Sequence, residues 1–147
     1  MLFILSSPPF YTQYVHLPDR NKTHAHIQEN PRFWPFFKDA IGALDGSHIQ
    51  ATPGALKHGT YRNRKGFTSQ NCLFSCNFDL FFTYALTRWE GSATDARIYQ
   101  DARTKGLHIP PGKYFLADAG FPLRAELLVP YRNIRYHLAE WRWAQLR

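Results

Sequence analysis

An α/β fold, with a mixed sheet and helical cover, is what this sequence predicts, and three observations predict it. Strand-like runs span 41–49, 69–78 and 80–87, the last two arranged around Asn77-Phe78-Asp79 as in a hairpin. A helical stretch opens at Ser92-Ala93-Thr94-Asp95 and is stopped by Gly106. A short apolar strand, Lys113 to Ala117, follows that helix, so an antiparallel hairpin shares a sheet with a strand reached by a helical crossover.

The remaining elements follow from local chemistry. Residues 1–31 form a preamble broken by Pro8, Pro9, Pro18 and Pro31, and the domain proper is expected over 32–147. Within the preamble, Asp19 to Asn30 fits a short helix or a surface loop equally well. Arg32 to Asp39 suggests one or two helical turns, with Trp34 and Phe37 turned toward the body. The strand from Ile41 to Ile49 is expected to end or bend near Asp45-Gly46. Gly54 to Thr60 reads as loop, and Tyr61-Arg62-Asn63-Arg64-Lys65-Gly66 as a basic turn. Phe74, Phe78, Phe81, Phe82 and Tyr84 are bulky enough for a sheet packed on both faces. Pro110-Pro111-Gly112 is a turn, Leu123 to Leu128 suggests a short helix, and the Trp- and Arg-rich tail from Tyr131 has no clear period.

Composition narrows the function classes. At 147 residues and 44% apolar, the chain is sized for one core. Eighteen Lys and Arg against eleven Asp and Glu give +7, which suits a polyanionic partner such as nucleic acid and equally a merely basic protein. Cys72 and Cys76 lack the second ligand pair of a structural zinc site, so free buried thiols in the cell interior are expected. The opening MLFILSSPPF has no basic residue before its apolar run and does not read as a signal peptide. No run approaches the roughly 20 apolar residues of a membrane span, so no membrane partner is expected.

Three acids stand out. Asp45 follows an apolar strand and precedes Gly46; Asp118 follows Tyr114-Phe115-Leu116-Ala117 and precedes Ala119-Gly120. A turn acid explains either one alone, but the repeated placement fits carboxylates held rigidly at strand ends, as hard cations require. Asp95 is read more simply on local pattern as part of a capping box with Ser92. Asp79 reads as a hairpin-turn acid, and Glu90 has a weak case as an additional site residue. Arg62, Arg64 and Lys65, with Lys57 and His58 just before, form a cluster suited to phosphate contacts or to an ordinary solvated loop. His48 is placed either to orient a phosphate or water near Asp45, or to be an exposed strand-end histidine without a role.

Taken together, these segments resemble the nuclease domain of PIF/Harbinger transposases and their domesticated relatives, within the DDE superfamily. The resemblance rests on Phe37-Lys38-Asp39-Ala40-Ile41-Gly42-Ala43-Leu44-Asp45-Gly46-Ser47-His48-Ile49 and Asn63-Arg64-Lys65-Gly66-Phe67-Thr68-Ser69-Gln70-Asn71. It continues through Phe78 to Tyr84, Trp89-Glu90-Gly91-Ser92-Ala93-Thr94-Asp95-Ala96-Arg97, Tyr114 to Pro122, and Pro130-Tyr131-Arg132. It implies a ribonuclease H-like fold, a mixed sheet flanked by helices. It also implies Asp45, Asp95 and Asp118 as catalytic ligands of Mg²⁺ or Mn²⁺, which reverses the preference for capping at Asp95. DNA as substrate, a separate Myb-like DNA-binding protein as partner and a nuclear location come with it. The sequence departs from the family after Asp118, where the family's glutamate-bearing helix has no match; Glu140 lies in a different segment and is a poor substitute. The family's upstream helical DNA-binding region is also without a match. The expectation is therefore a divalent-metal-dependent DNA endonuclease or transposase-like domain, incomplete at its C-terminal end and impaired by that loss. The alternative is a non-catalytic DNA- or protein-binding remnant.

Overall fold

A computed structural model describes residues 8–19 and 22–131. Most of the Trp- and Arg-rich tail, Glu140 included, lies outside the described residues. Two short helices, α1 (Pro8–Tyr14) and α2 (Ala25–Gln28), precede β1 (Ala40–Gln50). A 3₁₀ turn (Ala55–Lys57) and α3 (His58–Tyr61) occupy the segment expected as loop, and β2 (Ser69–Cys76) and β3 (Phe82–Glu90) form the hairpin. Helix α4 (Asp95–Thr104), β4 (Tyr114–Ala117) and β5 (Leu127–Leu128) complete the order.

These strands make one five-stranded mixed sheet in the order β3-β2-β1-β4-β5. Strands β1, β2 and β3 pair antiparallel, whereas β4 pairs parallel with both β1 and β5. The crossover from β3 to β4 runs through α4, as a parallel pairing demands. Helix α4 buries Ile98, Tyr99 and Ala102, one face at helical spacing, against Leu44, Leu73 and Phe115 of the sheet. Leu107, Ile109, Phe121 and Leu127 close this core.

Helix α4 is fixed to β3 by polar contacts along its length. The Tyr84 hydroxyl donates to the Lys105 carbonyl at 3.1 Å, satisfying one of the helix's terminal acceptors, and burial pushes its pKa up to about 12. Trp89 Nε1 donates to Asp101 at 2.9 Å, and the Arg97 guanidinium lies 5.5 Å from the centre of the same indole. Gly106, at φ +96°, ends the helix where the sequence placed its stop.

Several local expectations are corrected. Of the two alternatives near Asp45-Gly46, an end or a bend, the end is excluded: β1 continues to Gln50, because its antiparallel ladder with β2 runs on as far as Gln50 opposite Ser69. Over 31–39 the expected helical turns are present as consecutive turns, with Trp34 N–H donating to the Asn30 carbonyl and Phe37 N–H to the Phe33 carbonyl, but Trp34 is exposed and does not face the body, while Phe37 is half-buried. Phe81 and Phe82 are exposed, so the apolar run at the hairpin does not pack on both faces within the described residues. The expected helix over Leu123 to Leu128 contains the short strand β5 instead; short apolar runs do not separate helix from strand by period. Cys72 is buried and Cys76 half-buried, both free. Among the described residues, no helix is long and apolar enough to cross a membrane.

One glycine is required by this register. Gly42 sits at the irregularity in the β1–β4 pairing with φ +156°, and a Cβ there would run into the backbone carbonyl of Cys76. Gly42→Ala is expected to lower unfolding free energy by about 3 kcal/mol, measured by urea denaturation.

Candidate metal centre and adjoining basic groove

Parallel pairing between β1 and β4 reaches its last pair at Leu44 and Ala117. Asp45 and Asp118 are the next residues on their strands, so both acids emerge side by side where the parallel pair separates. Asp45 Oδ1 accepts the Gly46 N–H at 2.8 Å, and Asp118 Oδ1 accepts the Gly120 N–H at 2.8 Å. These local bonds orient each carboxylate without occupying both of its oxygens. Burial raises the Asp45 pKa above the ordinary carboxylate value; the Gly46 N–H opposes this, and the charges of Asp118 and then Asp95 add to it.

Asp95 reaches the same place from a different element. It is the first residue of α4, with Thr94 as N-cap, and Thr94 makes no side-chain capping bond. The proposed capping box is therefore absent: Ser92 lies two residues before the N-cap, and Asp95 is too early to return a bond from the third helical position. Freed from that role, Asp95 Oδ1 accepts from Asn71 Nδ2 at 3.2 Å, and the same amide group donates to the Ala93 carbonyl at 3.2 Å. Asn71 is a residue that the sequence reading missed. It belongs to β2, and only the long-range docking of α4 brings it against Asp95.

Two glycines show how closely the acids approach. A Cβ on Gly46 would collide with Asp95 Oδ1. A Cβ on Gly120 would lie 3.0 Å from Asp118 Oδ1 and 3.1 Å from Asp95 Oδ2. The carboxylates of α4 and β4 thus flank one small space that a side chain would fill. Asn71 Oδ1, buried and without a hydrogen-bond donor among the described residues, lies 3.4 Å from the position of a Gly46 Cβ. Carboxylate and amide oxygens are the donor chemistry of a hard divalent cation. Among the described residues, however, no three His, Cys, Asp or Glu side chains close into a set that could hold a metal ion.

Beside Asp95 lies a cavity of about 460 Å³. Its lining includes Gly46, His48, Asn63, Arg64, Lys65 and Asp95. Arg64, Lys65 and His48 therefore share one groove with an acid of the cluster. Arg62 does not line it; its Nε donates to the Gly66 carbonyl at 3.1 Å and helps close the basic turn. Lys57 and His58 lie outside it as well, on the 3₁₀ turn and α3. Asp79 pairs with His24 at 2.9 Å, consistent with a turn acid remote from the cluster.

The profile of the DDE superfamily endonuclease family matches residues 44–146, a span that contains all three aspartates and the basic turn. The chain belongs to that family. Among curated proteins, the rat "Putative nuclease HARBI1" is 27% identical over 135 residues, covering 90% of this chain. The human protein of that name is 30% identical over 108 residues, covering 70% of this chain. The aligned part is 38% of the rat protein and 30% of the human one, so the chain spans well under half the length of these relatives. No solved structure matches it. Membership in the DDE endonuclease family agrees with the transposase-derived nuclease resemblance at the level of the family.

Proposed function

We propose that the chain forms a ribonuclease H-like, divalent-metal-dependent DNA endonuclease domain in which Asp45, Asp95 and Asp118 are the metal-binding catalytic residues. The observation that carries this reading is that Asp45 and Asp118 both follow the last parallel pair of β1 and β4, while Asp95 and Asp118 flank one small space beside Gly120, inside the region matched to the endonuclease family. A mixed sheet with a helix packed across it supports the ribonuclease H-like assignment.

The roles follow from placement. Asp45 and Asp118 supply oxygens from adjacent strand ends, and Asp95 supplies oxygens from the first turn of α4. Asn71 holds the Asp95 carboxylate toward them. When bound, Mg²⁺ or Mn²⁺ supplies the positive charge that makes water nucleophilic and offsets charge on the phosphate under attack. Arg64, Lys65 and His48 neutralise and orient the DNA backbone along the groove, with Arg62 adding charge beside it. Cleavage forms a bond from water oxygen to phosphorus as the bond to the 3′ oxygen breaks, giving a 5′ phosphate and a 3′ hydroxyl; in a transposase-like reaction that hydroxyl attacks a target phosphodiester and displaces its 3′ oxygen. A separate Myb-like DNA-binding protein as the source of sequence recognition, and a nuclear location, accompany this proposal.

The second reading is a DNA-binding remnant without turnover, favoured by the fact that no three His, Cys, Asp or Glu side chains among the described residues form a set that could hold a metal ion. Nicking of supercoiled plasmid in Mg²⁺ or Mn²⁺ separates the two. Activity lost in Asp45→Asn and Asp118→Asn supports the endonuclease; salt-dependent DNA binding with no nicking above those variants supports the remnant.

A further inference from the structure

We infer that Ser69 and Asn63 lock the His48 imidazole in the tautomer protonated at Nε2, making His48 a hydrogen-bond donor to a phosphodiester oxygen and not a proton acceptor. The inference rests on DNA lying in the groove proposed above and assigns the chemistry of one contact within it.

The chain of hydrogen bonds fixes each proton in turn. Asn63 Oδ1 accepts the backbone N–H groups of Lys65 at 3.0 Å and Phe67 at 3.4 Å, so the other arm of its side chain must be the NH₂ group. That Nδ2 donates to Ser69 Oγ at 3.0 Å. Ser69 is fully buried, and its single hydroxyl proton needs an acceptor. His48 Nδ1 lies 2.9 Å from the same Oγ. If Nδ1 carried the proton, Ser69 Oγ would face two donors and its own proton would be left over. With Nδ1 as acceptor, every group is satisfied and the ring proton resides on Nε2.

The consequence is directional. His48 is exposed and lines the groove beside Arg64, Lys65 and Asp95. With its Nδ1 lone pair taken by Ser69, the ring offers the groove an N–H from Nε2, which suits an anionic phosphate oxygen. Ser69 and Asn63 act through His48 and are positioning residues. Gly91 packs so tightly on Ser69 that a Cβ would clash with its hydroxyl and carbonyl oxygens, which keeps the hydroxyl in place.

The test uses the full chain labelled with ¹⁵N-histidine, with the His48 resonances assigned by their loss in His48→Gln. Long-range ¹H–¹⁵N correlation at pH 8 is expected to show His48 protonated at Nε2; a ring protonated at Nδ1, or averaged between the two, overturns the inference. In EDTA, binding of a short DNA duplex is expected to persist in His48→Gln, whose amide NH₂ can replace the Nε2 donor. It should weaken about fivefold in His48→Leu, the scale of one hydrogen bond to a charged group. Equal affinity of the two variants also overturns the inference. His48 is exposed, so neither variant depends on refolding a core. Because every arm is read without divalent metal, absence of nicking would defeat the endonuclease reading and leave this one standing, and the wrong tautomer would do the reverse.

Discussion

Asp118→Asn is expected to reduce Mn²⁺-dependent plasmid nicking more than a hundredfold, beyond the 10- to 100-fold loss (roughly) that follows removal of a ligand's supporting partner. Asp45→Asn and Asp95→Asn should behave alike, because the proposed site has no redundant carboxylate among the described residues. All three substitutions are expected to leave the metal-free fold intact, and Asp45→Asn to raise its melting temperature at neutral pH. The sign follows from Asp45. Its folded-state pKa lies above the unfolded value of 3.8, so its favourable contribution is present below that value and lost as pH rises through the folded pKa. At neutral pH the ionised group therefore opposes folding, and removing its charge relieves part of that opposition. Lower metal-free stability in all three variants would show that these acids serve the fold and not a cation.

Gly46→Ala carries the second large effect. Gly46 lies on the strand that bears Asp45, and its missing side chain leaves the room that the Asp95 carboxylate takes. A methyl group there meets the end of a side chain rather than backbone, so Asp95 can rotate away and the sheet need not open. Nicking is expected to fall about tenfold to a hundredfold, comparable to loss of a supporting partner, with a melting temperature close to that of the parent chain. Gly42→Ala, whose new methyl meets backbone, should show the opposite pattern: loss of stability first, and activity only through it. Measuring nicking and thermal unfolding side by side in these two variants separates a site defect from a fold defect.

How much of this was legible in the sequence depended on the range of the interaction. The β2–β3 hairpin, β4 and the end of α4 at Gly106 are local matters of alternation and turn chemistry, and they were readable as such. The position of Asp45 was readable, but its context was not. Local pattern suggests a strand that ends or bends near Asp45-Gly46, whereas β1 runs on beside β2 and it is only the parallel pairing with β4 that stops there. A strand's two edges can end at different residues, and one sequence pattern cannot report both. Asp95 shows the reverse case. Its local pattern pointed to a capping box, and the structure starts the helix later, leaving that carboxylate for Asn71 and the cluster. Asn71, Ser69 and Asn63 carried no motif of their own. Their roles come from cross-strand register and from the packing of α4 and the basic turn, and these emerge only when the chain folds. The family resemblance did pass through all three residues, and that was the one signal that could have found them.

The central claim is that Asp45, Asp95 and Asp118 together form a divalent-cation site, and Mn²⁺ binding to the full chain, followed by electron paramagnetic resonance, tests it most directly. The parent chain and Asp79→Asn, a variant at an acid remote from the cluster, should remove free Mn²⁺ from solution equally. Asp45→Asn, Asp95→Asn and Asp118→Asn should each weaken that binding about tenfold or more. Mn²⁺ binding that is absent from the parent chain, or unchanged by all three substitutions, would contradict the account.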